Sequence, residues 1–198
     1  MSTSSFEASA TLSNFAAHRT ENAQSSLAAT STSSRIAVNS EDGFDVSALK
    51  AMGISTFLGN NTGAIASWYR SNNPRDSTNG RSWCQMPYND AVPGFAPSLK
   101  TMLASFDQDS TAAKRAFCGL EAKVYSPATR KTVTLFIADA FDDKWVRTPA
   151  SIDVMFDSFA SLFGRTTHDK NDVVKDVSWR LTGKRNEQFT YEGVGSGR

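Results

Sequence analysis

The chain has 198 residues, 39% of them hydrophobic, and its thirteen Phe and four Trp supply large apolar pieces for one domain with an extension or one large domain. A formal net charge of +1 gives no electrostatic case for a nucleic-acid or anionic-membrane partner. No run of eighteen apolar residues is present, which argues against a transmembrane helix. The N-terminus lacks the basic, apolar and small-residue pattern of a signal peptide, as expected for a mature form or a cytosolic protein.

Residues 1–40 are a low-complexity tract of Ser, Thr and Ala (Ser2-Thr3-Ser4-Ser5, Thr30-Ser31-Thr32-Ser33-Ser34). So few large apolar residues cannot offset the entropy of ordering, and the expectation is a loosely attached extension. Asp45 to Gly53 reads as a short helix capped by Asp45 or Ser47 and stopped by Gly53. Ile54 to Leu58 reads as a strand and Gly59 to Gly63 as a turn. That turn carries Asn60-Asn61-Thr62, which makes Asn60 a glycosylation acceptor in a secretory setting. Ala64 to Tyr69 is a strand, Asn72 to Gly80 is turn-rich, and Pro87 to Pro97 is a long irregular segment. Short helices are expected at Ser98 to Leu103 and Thr111 to Phe117.

The most legible stretch follows. Leu120, Ala122 and Val124 alternate with Glu121, Lys123 and Tyr125. After the turn Ser126-Pro127-Ala128-Thr129, Val133, Leu135 and Ile137 alternate with Thr132, Thr134 and Phe136. Period-two patterning on both sides of a Pro-containing turn is a half-buried β-hairpin. Asp139 ends its second strand. A second isolated aspartate, Asp153, stands just before a helical run of Met155, Phe156, Phe159, Leu162 and Phe163 that Gly164 stops. Val173 to Leu181 closes as a strand, and 186–198 is a glycine-rich flexible tail, which leaves 41–185 as the folded domain.

Asp139 can accept backbone N–H groups of the next loop or serve a groove. Asp153 can cap the helix or serve as a second carboxylate. Cys84 and Cys118 allow one bridge or two buried thiols. With two cysteines, and with His18 and His168 in separate polar contexts, no metal-ligand spacing recurs. Neither a metal nor a cofactor is expected. Trp68 and Trp179 read as core, Asp142-Asp143 as a solvated pair and His168 as surface. Trp83, Tyr88 and Trp145 are candidates for stacking on flat ligand faces.

The order of these pieces is informative: Ala66-Ser67-Trp68-Tyr69, Cys118-Gly119 opening a hairpin that ends Ile137-Ala138-Asp139, Ile152-Asp153-Val154 before a short helix, then Val177-Ser178-Trp179. It resembles the double-psi β-barrel of expansins, barwin-like and RlpA-like proteins over roughly residues 62–181. The resemblance implies a mainly β, six-stranded double-psi barrel with short helices, preceded by the Ser/Thr/Ala-rich extension. It implies a Cys84–Cys118 disulfide and an open groove lined by Ser67, Asp139 and Asp153, with Tyr69, Trp83, Tyr88 and Trp145 as further ligand contacts. Ser67 stands where the family has Thr, Met155 stands where it has the helix-capping Ser, and the cysteine pair that usually follows the first aspartate is absent.

Three functions follow from this resemblance. The leading one is a secreted, extracellular or cell-wall protein that binds a polysaccharide (cellulose, chitin or peptidoglycan) without hydrolysis. The second is a glycoside hydrolase or lytic transglycosylase using Asp139 and Asp153 as catalytic carboxylates. The third is a protein-binding, protease-inhibitor-like barrel. In each case the expected state is a monomer.

Overall fold

The computed structural model describes residues 43–192. The N-terminal extension expected over 1–40, and residues 193–198 of the tail, lie outside the described residues. Six strands close into a mixed barrel: β1 (Asn61–Tyr69), β2 (Gly94–Pro97), β3 (Leu120–Ser126), β4 (Lys131–Ile137), β5 (Ile152–Met155) and β6 (Val174–Arg185), in the order β1-β5-β2-β4-β3-β6. Four short helices complete the mainly β fold: α1 (Val46–Ala51), α2 (Leu99–Ala104), α3 (Ser110–Phe117) and α4 (Phe156–Phe163). The pairs β1/β5 and β2/β4 are parallel and all others antiparallel. The mainly β, six-stranded barrel that the resemblance implied is observed.

The β3–β4 hairpin pairs without a register break from Glu121↔Phe136 to Ser126↔Lys131. Leu120, Ala122 and Val124 point inward at 0% exposure, as the period-two pattern requires. Gly119 opens the hairpin at φ +81, and a Cβ there would lie 2.7 Å from the Asn186 carbonyl oxygen, so both the turn and the close approach demand glycine. Trp179 of β6 fills the barrel, packed on Phe57 and Phe95 at 5.0 and 5.5 Å, with its indole N–H donated to the Ala150 carbonyl at 2.8 Å.

Several expectations are corrected. Ile54 to Leu58 is irregular, because Ser55 and Thr56 direct their N–H groups to the Ser105 hydroxyl instead of a strand partner. The Pro87 to Pro97 segment contains β2, a strand buried at every position and therefore without alternation. β1 begins at Asn61, inside the expected turn, with register shifts against β6 between Asn61 and Ala66. Asp139 lies two residues beyond the end of β4. The tail is ordered beyond Arg185: Asn186 N–H bonds the Gly119 carbonyl at 2.9 Å, and Phe189, 8% exposed, packs on Phe136. Helix α1 is capped by Asp45, whose carboxylate accepts the Ala48 N–H at 2.9 Å.

Two apolar clusters matter for function. The first fills the barrel. The second, formed by Tyr69, Tyr88, Ala96, Phe141 and Met155, lies on the other face of β1, β5 and β2. It supports a groove.

Candidate functional site

Strand register builds the floor of that groove. Ser67 of β1 pairs with Asp153 of β5, which pairs with Ala96 of β2. Neighbours along these strands (Ala66, Trp68, Ile152, Val154) belong to the barrel core, so strand alternation turns Ser67 and Asp153 the other way. The Ser67 hydroxyl donates to Asp153 Oδ1 at 2.7 Å, and the second Asp153 oxygen accepts nothing among the described residues. The helix-cap alternative for Asp153 is excluded: it lies within β5, and the N-cap of α4 is Met155, without a side-chain cap. Asp153 retains some exposed surface, yet protein packs closely around it. That desolvation pushes its carboxyl up to about 7, against the pull of the Ser67 hydrogen bond.

Asp139 is held quite differently. Its Oδ1 accepts the N–H groups of Trp83 at 2.7 Å and Ala140 at 2.9 Å, and its Oδ2 accepts the Tyr88 hydroxyl at 2.7 Å. Burial raises its pKa while these three donors pull it back down. Its carboxylate ties the loop carrying Trp83 to the end of β4. One residue further along that loop, Cys84 is bridged to Cys118 at a Cα–Cα distance of 5.8 Å. Two structural devices thus converge on one corner.

Tyr69, 5% exposed, packs its ring 6.4 Å from that of Tyr88. Burial, reinforced by the nearby Asp139 charge, raises its phenol well above the ordinary value. Its hydroxyl lies close to Asp139 without completing a hydrogen bond to it. Ser82, also 5% exposed, carries a second buried hydroxyl without a partner. The two residues, though not their hydroxyls, contribute to the walls of a cavity of about 450 Å³ together with Asp139 and Asp153. A second cavity of about 580 Å³ adjoins it, and residues common to both walls include Asp76, Lys144, Trp145 and Asp153. Together they form one groove.

The candidate aromatics separate by exposure. Trp145 is 56% exposed at the rim, with the Lys144 ammonium 5.7 Å from its ring. Trp83 is half-buried with Lys114 over its ring at 5.4 Å. Tyr88, 8% exposed and bound to Asp139, has no free face for stacking, and Tyr69 is buried with its hydroxyl closed off as well. Asn60 is exposed in the loop before β1. His168 is exposed, with its ring 5.4 Å from that of Phe156.

Two features escaped sequence reasoning. Asp143 is not a solvated residue: it accepts the Lys100 N–H at 2.7 Å and the Ser98 hydroxyl, which fastens the start of α2. The groove wall also contains an Arg70–Asp76–Lys170 cluster. Asp76 accepts Arg70 Nε at 2.7 Å and Lys170 Nζ at 2.9 Å, and Lys170 Nζ sits 3.7 Å from the centre of the Trp68 ring. Burial acts to raise the Asp76 pKa, but the Arg70 and Lys170 bonds outweigh it and hold the carboxyl below its ordinary value. The Arg70 and Asp76 spacing across Asn73-Pro74 was the available clue. Lys170 comes from a distant loop and left none.

Among the described residues no group of three His, Cys, Asp or Glu side chains is arranged to hold a metal ion. Comparison with protein-family models finds no match, and comparison with curated proteins finds none either.

Proposed function

We propose that this protein is secreted and binds a cell-wall polysaccharide in the groove, as the expansin-like barrels it resembles do, without hydrolysing it. The observation that carries this reading is the pairing of an exposed rim indole, Trp145, with a floor carboxylate, Asp153, one oxygen of which is uncommitted among the described residues. Sugar rings present flat apolar faces for an indole and hydroxyls that can donate to such a carboxylate oxygen. The Cys84–Cys118 bridge supports an oxidising compartment.

The non-hydrolytic part of the proposal rests on Asp139. Hydrolysis through two carboxylates needs a base or nucleophile opposite the acid. Both Asp139 oxygens are engaged in holding the Trp83 loop and Tyr88. A second reading is favoured by one observation: an Asp153 carboxyl near 7 retains a proton around neutrality, so it suits a single general acid of lytic type.

Co-sedimentation with cellulose, chitin and peptidoglycan, with reducing-end release measured on the same samples, tests both readings. Retention that Trp145→Ala weakens, without new reducing ends, is the expected result. New reducing ends that disappear in Asp153→Asn would replace binding by cleavage, and failure of all polymers to retain the protein would remove the groove reading.

A further inference from the structure

The two ends of the groove differ in charge. The cavity at the Asp139 end also carries Asp142, so it is rich in carboxylates. The larger cavity is lined by four cations, Arg75, Lys144, Arg147 and Lys170, against two carboxylates, Asp76 and Asp153. Their pairing shows which positive charge is left over. Lys144 is balanced by Asp142 at 2.7 Å. Asp76 is shared between Arg70 and Lys170, so that triad retains one positive charge. Arg75 and Arg147 are exposed, and neither guanidinium has an ion-pair or hydrogen-bond partner among the described residues.

A neutral glycan leaves these guanidinium groups without a use. A carboxylate matches their planar fork with two parallel N–H···O bonds. Trp145, in the wall of the same cavity, supplies a stacking face. One binding site therefore combines a ring platform and uncompensated guanidinium groups.

We propose that the groove selects an acidic polysaccharide, with sugar carboxylates seated on Arg75 and Arg147 while the ring beside them packs on Trp145. This inference rests on the polysaccharide reading above and names its ligand class. Arginine is the better carboxylate partner, and its charge-assisted bonds are worth enough for each lost pair to weaken binding by about ten-fold.

The test compares polygalacturonate with the same polymer fully methyl-esterified, which keeps the backbone and removes the charge. Dextran sulfate serves as a generic polyanion. The expected result is binding to polygalacturonate at least about ten-fold tighter than to its ester. The Arg75→Gln/Arg147→Gln double variant should lose that preference, with an unchanged melting temperature, because neither guanidinium has an ion-pair or hydrogen-bond partner among the described residues. Trp145→Ala should weaken binding to both galacturonate polymers. Equal binding of acid and ester would overturn the acidic-ligand inference and leave the polysaccharide reading standing. Dextran sulfate binding as tight as polygalacturonate and insensitive to Trp145→Ala would reduce the wall to unspecific charge attraction. Absence of binding to these polymers and to the neutral glycans alike would remove both proposals together.

Discussion

At the β4 end of the groove, Asp139 accepts three hydrogen bonds and stands beside a disulfide-anchored loop. On the floor, Asp153 accepts one hydrogen bond and keeps an oxygen uncommitted. The same residue type, delivered to one cavity, thus does two jobs. The first region is built for rigidity: two of its three donors, from Trp83 and Tyr88, come from the loop that the carboxylate organises. The second is built for exchange: Asp153 hangs from a strand whose position the barrel already determines, so its carboxyl is not needed to hold the chain. An isolated aspartate becomes structural or functional according to how many donors its neighbours aim at it.

The sharpest way to break the comparison is to release the Asp139 corner. Replacing Cys84 and Cys118 together by Ala opens a loop spanning 34 residues of sequence separation. It should cost about 3–4 kcal/mol in the chain-entropy account, read from urea unfolding. Asp139→Ala should follow at about 2–3 kcal/mol, because the N–H groups of Trp83 and Ala140 and the Tyr88 hydroxyl lose their acceptor in a half-buried corner. A loss below about 0.5 kcal/mol would place Asp139 with Asp153 instead of opposite it.

Asp153 should respond with the other sign. Its folded-state carboxyl titrates near 7 against an ordinary value of 3.8. Between those values the native state keeps a proton that the unfolded chain has lost. Stability therefore falls as pH rises through this window and levels off above about 7. Asp153→Asn should remove the fall, raising stability at pH 8 by about 2 kcal/mol relative to the parent and changing little at pH 4. Parallel stability–pH curves for parent and variant would show that burial does not penalise this carboxylate.

The smallest effect on the fold belongs to the rim. Trp145→Ala, at a side chain 56% exposed, should change stability by no more than about 0.5 kcal/mol while polysaccharide retention drops. A large loss of stability would mean that the indole belongs to the fold and not to a ligand.

The local pieces were readable because they declare themselves through short-range periodicity and caps. The β3–β4 hairpin announces its buried face by alternation, α1 shows its Asp45 cap, and Gly164 ends α4 at φ +95, where a side chain would be strained. Asp139 and Asp153 stood out as isolated carboxylates near element ends, and the resemblance placed them in one groove. Strand β2 stayed hidden because burial at every position erases alternation, and Ile54 to Leu58 was misread because a side chain fifty residues away takes its N–H groups.

What the sequence determined by itself was the patterned elements, such as the β3–β4 hairpin and the capped helices, and the residue types available to a groove. Only the tertiary structure decided their roles. Ser67, Asp153 and Ala96 became neighbours through pairing between β1, β5 and β2, Asp139 acquired two of its three donors from a loop more than fifty residues upstream, and Lys170 reached Asp76 across the fold. A carboxylate's protonation and usefulness depend on the donors, charges and water around it. Those are set by which distant segments the closed barrel brings together, and local sequence carries no record of that.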